Sequence, residues 1–184
     1  SRPDMKWDVG DMTNMHKYED GSFDVVFDKG ALDALMSTDS PDVREKAVCM
    51  FNEVARILNN SGRYICITLA EKYIIEALLG YYCTTSNTGY TINVDTVQSK
   101  KDSPFVPFYV DITKSSTGAN VSNAKTVRLH MDEFGQVNPA SANRLSVPCI
   151  SGAEAAEQLT QVQAFHQKQY QIAKIEVGRF EKLH

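Results

Sequence analysis

The sequence predicts an α/β fold, on three observations. Phe23 to Phe27 reads as a buried apolar strand that stops abruptly at Asp28-Lys29-Gly30. Residues 63–69 (Arg-Tyr-Ile-Cys-Ile-Thr-Leu) are almost continuously apolar, the pattern of a strand covered on both faces. Between and after these two runs, apolar residues recur at helical spacing. Strands that alternate with helices predict a mainly parallel sheet. A strand ending in a charged pair and a glycine suits the carboxyl edge of such a sheet, where ligands bind in open α/β folds.

Each element has its own local warrant. Met5 to Val9 alternate apolar and polar, which predicts a short strand, and Gly10-Asp11-Met12-Thr13 is a turn signature after it. Glu19-Asp20-Gly21-Ser22 is a second turn, leading into the strand at 23–28. Ser40-Pro41-Asp42 starts a helix: a capping hydroxyl, a proline at the first helical position and an acid in the first turn. Val43, Ala47, Met50, Phe51, Val54, Ile57 and Leu58 carry its apolar stripe, and Asn59-Asn60-Ser61-Gly62 ends it. Glu71 to Tyr82 predicts a second helix with Tyr73, Ile74, Ala77, Leu78 and Tyr81 on one side.

Tyr90–Val97 and Val106–Thr113 are strands with no helix between them, so an antiparallel pair at one edge is expected. Thr126–Asp132 alternates, and Leu145–Ile150 is a weaker returning strand. Ser151, with Glu154 three residues on, opens a long final helix. Its stripe is Ala155, Leu159, Val162, His166, Tyr170 and Ala173. The organisation is a domain over 1–114, a linker over 115–124 and a β/α extension over 125–184.

Composition narrows the class. Of 184 residues, 42% are hydrophobic and 23% charged, which is globular rather than disordered. The net charge of −4 gives no electrostatic footprint for nucleic acid. Cys49, Cys66, Cys83 and Cys149 are widely spaced, without a Cys-x-x-Cys, and read as free thiols in a reducing compartment. No signal peptide is visible and no apolar run approaches the ~20 residues of a membrane span, so a cytoplasmic protein is expected. His16, His130 and His184 have no ligand spacing, and no metal is expected.

Three stretches carry a resemblance. They are Val9-Gly-Asp-Met-Thr, Val26-Phe-Asp-Lys-Gly-Ala-Leu-Asp33, and Glu53-Val-Ala-Arg-Ile-Leu with Ser61-Gly-Arg-Tyr-Ile-Cys-Ile. Together they resemble the seven-strand class I S-adenosylmethionine-dependent methyltransferases. The Asp-Lys-Gly-x-x-Asp element is similar to that of the enzymes that modify translation elongation factor 1-alpha. The resemblance covers about residues 2–114, and 125–184 only loosely. It implies a Rossmann-like class I methyltransferase fold with strand order 3-2-1-4-5-7-6, strand 7 antiparallel. On that map the chain supplies the C-terminal part, strands 3–7, at 5–9, 23–28, 63–69, 90–97 and 106–113, with a small β/α extension. Strands 1 and 2 have no counterpart and no Gly-x-Gly occurs, so the glycine-rich cofactor loop is missing. These residues by themselves are expected not to bind S-adenosylmethionine.

The resemblance also implies site residues, each of which has a plainer reading. Asp28 and Lys29 would be catalytic and, with Gly30, line the junction of cofactor and substrate. Asp28 would otherwise cap the following turn or pair with Lys29, and Lys29 would be a solvated cation. Asp11 would accept from the adenine amino group while Met12 packs on the ring; otherwise Asp11 is a turn aspartate. Asp33 is either a substrate-side acid or a helix-start charge. Tyr73, Tyr81 and Tyr82 form a cage for a methylated amine or, at helical spacing, part of the core. The implied function is lysine or N-terminal methylation of elongation factor 1-alpha, with S-adenosylmethionine as cofactor. The rivals are a non-catalytic dimerisation module, a homodimer included, and a small-molecule methyltransferase.

Overall fold

The computed structural model describes residues 4–69, 71–84, 89–97, 107–115 and 127–130, and positions 154, 156–161, 163, 164, 167, 168 and 171. The elements are β1 (Phe23–Lys29), α1 (Ala31–Leu35), α2 (Pro41–Ile57), β2 (Leu58–Thr68), α3 (Lys72–Thr84), β3 (Tyr90–Thr96), β4 (Phe108–Lys114) and β5 (Val127–His130). The described positions from 154 to 171 are helical.

The strands form one mixed sheet in the order β1-β2-β4-β3-β5. β1 runs parallel to β2, β4 runs antiparallel to both β2 and β3, and β5 runs parallel to β3. The two strands expected as an antiparallel pair are one, and the later of them, β4, lies inside the sheet between β2 and β3.

α2 begins as its sequence dictates. Ser40 is extended, its hydroxyl accepts from the Val43 N–H at 3.4 Å, and Pro41 opens the helix. The helix passes directly into β2: Leu58 turns extended at its end. Asn59–Gly62 therefore belongs to the start of β2, where the register jumps from Phe23↔Leu58 to Val25↔Arg63. Gly62 sits in close quarters at this jump: a Cβ there would lie 3.0 Å from Leu58 Cβ and 3.1 Å from the Asn59 nitrogen.

The two faces of the sheet differ. Tyr64, Cys66 and Thr68 of β2 are buried, and the register continues this side into Phe108, Val110 and Ile112 and on to Ile92 and Val94. Met50, Phe51 and Val54 of α2 and Ile74, Ile75, Leu78, Leu79 and Tyr82 of α3 complete the same core. Each such side chain contributes about 1.5–3 kcal/mol by leaving water. On the other side, Val25 is 46% and Phe27 60% exposed.

Several expectations change. The strand over 5–9 does not form; these residues are exposed and join no β-ladder, and Asp8 and the Val9 carbonyl are held by Lys17 instead. Alternation makes a strand only where a neighbour completes the ladder, and among the described residues none lies beside them. Of the tyrosines of α3, Tyr82 belongs to the core, and Tyr73 and Tyr81 pack half-buried against it with their hydroxyls on the Met36 carbonyl and Asn52 Oδ1. Tyr82 is 2% exposed, and its ring meets those of Tyr81 and Tyr90 at 4.8 and 5.0 Å. Of the last helix, Ala156, Leu159 and Gln163 are buried. Ser151, Ala155, Val162, His166, Tyr170, Ala173 and the strand at 145–150 lie outside the described residues, as does most of the 115–124 linker.

Candidate functional site

The site is built at the carboxyl end of the parallel pair β1–β2. Lys29 is the last residue of β1 and stands opposite Ile67. Gly30 follows with φ 76° and ψ 6°, a left-handed conformation that favours glycine. Its N–H still donates to the Ile67 carbonyl at 3.0 Å, so the chain turns without losing the ladder. A Cβ on Gly30 would meet nothing within 4 Å, so the elbow opens onto free space. α1 starts at the next residue.

Asp28 is 5% exposed and holds this elbow from inside. Its Oδ1 accepts from the Ala31 N–H at 2.7 Å, and its Oδ2 from the Leu32 N–H at 3.2 Å. The Tyr64 hydroxyl donates to Oδ2 at 2.9 Å, and Cys66 Sγ lies 3.8 Å away. The carboxylate thus supplies acceptors to two N–H groups that the first turn of a helix leaves open. Burial, reinforced by the Asp28 charge, pushes the Cys66 thiol up and keeps it protonated. Burial also raises the Tyr64 phenol well above its ordinary range. Neither is a nucleophile at neutral pH.

Asp33 is held quite differently. One oxygen, Oδ1, accepts from the Thr68 hydroxyl at 3.0 Å and the Leu69 N–H at 2.9 Å, both at the end of β2. The other, Oδ2, is buried and has no hydrogen-bond partner among the described residues. A buried carboxylate oxygen without a donor is costly, by roughly 1–3 kcal/mol or more for a charged group. Lys29, close by in the chain, is exposed and makes no hydrogen bond or ion pair among the described residues.

Asp28, Lys29, Gly30 and Asp33 are therefore gathered at one corner. Asp11 and Met12 sit in a separate turn and make no hydrogen bond to any of those four. Asp11 is exposed; its Oδ1 accepts from the Thr13 N–H at 2.8 Å and the Thr13 hydroxyl at 2.7 Å. Those bonds hold its carboxyl below the usual range. Met12 is half-buried against the core. No group of three or more potential metal ligands occurs among the described residues.

Sequence reasoning missed four contributors. Tyr64 is legible in principle, since a phenol on the buried side of a strand needs a partner for its hydroxyl. Thr68, Leu69 and Gln163 gave no such signal. The Glu53-x-x-Arg56 pair, read only as part of a resemblance, staples the preceding loop. Arg56 donates to Glu53, to the Tyr18 and Met15 carbonyls and to Asp20, and Glu53 accepts from the Met15 N–H.

No family model matches the chain. A mixed sheet with this ligand-side elbow is consistent with a methyltransferase-like fold, and the sequences that match the chain are named methyltransferases. The eEF1A lysine and N-terminal methyltransferases of Homo sapiens and Bos taurus are each 37% identical over 101 residues, 55% of this chain and 14% of theirs. The Drosophila melanogaster homolog is 42% identical over 81 residues, 44% of this chain and 12% of its own. The EEF1A lysine methyltransferase 4 of Bos taurus is 36% identical over 74 residues, 37% of this chain and 29% of its own. The sequence is related to methyltransferase-like protein 13. The chain spans only a small part of the length of the curated relatives it matches.

Proposed function

We propose that the chain is the substrate-side part of an S-adenosylmethionine-dependent protein methyltransferase acting on a lysine or the N-terminus of elongation factor 1-alpha, in the cytoplasm. The observation that carries the reading is the sheet order β1-β2-β4-β3, with antiparallel β4 between β2 and β3. It corresponds to strands 4-5-7-6 of the class I order. The names of the relatives supply the acceptor. Among the described residues no helix is long and apolar enough to cross a bilayer.

S-adenosylmethionine, when bound, supplies an electrophilic methyl group on a sulfonium. The residues present fit part of it. Asp11 offers an exposed carboxylate beside the half-buried side chain of Met12, which suits an adenine amino group and ring face. The open space at Gly30 and the free ammonium of Lys29 suit the carboxylate end. Asp28 does not fit a direct contact, because its oxygens already serve Ala31, Leu32 and Tyr64. Its part is to set the elbow that carries Lys29 and Gly30.

The substrate amine is assigned to Asp33, whose Oδ2 has no donor among the described residues; that oxygen is buried, so this corner has to open for the amine to reach it. A carboxylate beside an ammonium favours the charged form, so Asp33 binds and orients the amine but opposes its deprotonation. The attacking nitrogen must be neutral, and the remaining work is positioning. The test is methyl transfer from labelled S-adenosylmethionine to purified elongation factor 1-alpha by the full-length protein. The initial rate should rise with pH through the neutral range as the neutral amine fraction grows. Labelled metabolites with unlabelled elongation factor would overturn the acceptor and leave a small-molecule enzyme.

A second reading has one observation in its favour: Val25 and Phe27 present an apolar strip on β1 at 46% and 60% exposure. Such a strip beside an unpaired strand edge favours association, a homodimer included. An absence of methyl transfer together with dimers that Phe27→Ser dissociates in sedimentation would select this non-catalytic module.

A further inference from the structure

Leu69 lies just beyond the ladders of β2, whose last pairs are Lys29↔Ile67 and Thr68↔Phe108. Its polar groups go to side chains. The Leu69 N–H donates to Asp33 Oδ1 at 2.9 Å, and the Leu69 carbonyl accepts from Gln163 Nε2 at 2.7 Å. The two bonds clamp the main chain on both sides of the Leu69 Cα, which fixes both of its soft dihedrals.

Gln163 belongs to the last helical stretch, on the side that buries Ala156 and Leu159. Positions 156, 159 and 163 follow helical spacing, and an apolar residue would continue the stripe. An amide stands there instead, 8% exposed, with its N–H on a carbonyl that no strand serves. The ion pair Lys72–Glu157, at 3.0 Å, joins the same helix to the start of α3, but it is exposed and contributes little to seating it. Leu69 and Gln163 also line, with Glu71, Lys72, Thr160 and Gln167, a cavity of about 220 Å³. The extension thus forms one wall of a cavity that reaches Leu69, the residue whose N–H donates to Asp33.

We infer that Gln163 is a positioning residue: it fixes Leu69, and Leu69 fixes the carboxylate of Asp33, whose buried Oδ2 has no donor among the described residues. The inference rests on the function proposed above for Asp33. It gives the C-terminal extension a part in acceptor recognition.

The test uses the full-length protein with Gln163→Met, which keeps the length and removes the donor, and Gln163→Glu, which keeps the shape and cannot donate. The Leu69 amide should exchange about tenfold faster or more in either variant. The KM for elongation factor 1-alpha should rise about tenfold while the Kd for S-adenosylmethionine changes less than about twofold. A merely structural Gln163 would lower Tm and the active fraction without this split. Unchanged exchange at Leu69 overturns the inference, and so does faster exchange with an unchanged KM. Should Gln163→Met fail to fold, Gln163→Glu carries the same readouts. If the unaltered protein methylates no elongation factor, the proposed function falls, and exchange at Leu69 alone decides whether Gln163 sets this corner.

Discussion

The two ends of the β1–β2 pair carry similar numbers of charged groups and use them in opposite ways. At the amino end, all five donors of Arg56 are engaged. They reach Glu53, Asp20 and the carbonyls of Met15 and Tyr18, while the Arg56 carbonyl accepts from the Gly21 N–H. That network fastens a loop to a helix and uses every donor of Arg56. At the carboxyl end, Asp28 is equally engaged, but Asp33 keeps one buried oxygen without a donor and Lys29 keeps its ammonium free. Burial and charge do not by themselves mark a site. Unused hydrogen-bonding capacity does, and it separates Asp33 from Asp28 although they lie five positions apart.

The largest effect should come from Asp28→Ala. It strips the acceptors from Ala31, Leu32 and Tyr64 at once, and the cost should be about 3 kcal/mol, read from the urea midpoint. A loss of activity with unchanged stability would instead assign Asp28 to the chemistry. Asp33→Asn should do the reverse. The amide can keep the bonds to Thr68 and Leu69, so stability should move by less than about 1 kcal/mol, while kcat/KM for elongation factor 1-alpha falls about thirtyfold.

The amino end has a pH signature. Hydrogen bonding to Arg56 holds the Glu53 carboxyl below its ordinary value of 4.5, against the opposing effect of burial. Its contribution is complete above 4.5 and is lost as the pH falls through the lowered folded value. Glu53→Gln should therefore flatten the decline of the urea midpoint in acid, and a parallel decline would detach Glu53 from the staple. The smallest effect belongs to Lys29→Gln: an unchanged urea midpoint and about a threefold loss in kcat/KM, read from initial rates. A drop in stability would show that Lys29 is held by the fold after all.

Local signals explain what could be read from the sequence. Ser40-Pro41 fixes the start of α2, and the apolar run of 63–69 fixes β2, because capping and burial are written into neighbouring residues; the expected cover on both faces is not met, since Tyr64, Cys66 and Thr68 are buried and Arg63, Ile65 and Ile67 only half-buried. The corner at Asp28-Lys29-Gly30 was legible for the same reason. The strand at 5–9 failed because a strand is a property of two segments, and alternation describes only one. The partners of Asp28 cannot be read locally, because Tyr64, which donates to it, lies 36 positions away. Gln163 was invisible, since its partner Leu69 lies 94 positions earlier. An orphan oxygen such as Asp33 Oδ2 can be recognised only once every neighbour has its coordinates.

The place of β4 has a consequence for how the molecule is made. β3 is synthesised first, yet its antiparallel neighbour is β4, and β4 also separates it from β2. A ribosome therefore releases β3 before there is anything in the sheet for it to join. The β1–α2–β2 unit can assemble meanwhile, exposing on β2 the edge that β4 will later occupy. Long-range pairing of this kind is slow and vulnerable to intruding strands. During that interval the nascent chain depends on late arrival of residues 108–114 to close its own sheet before another chain does.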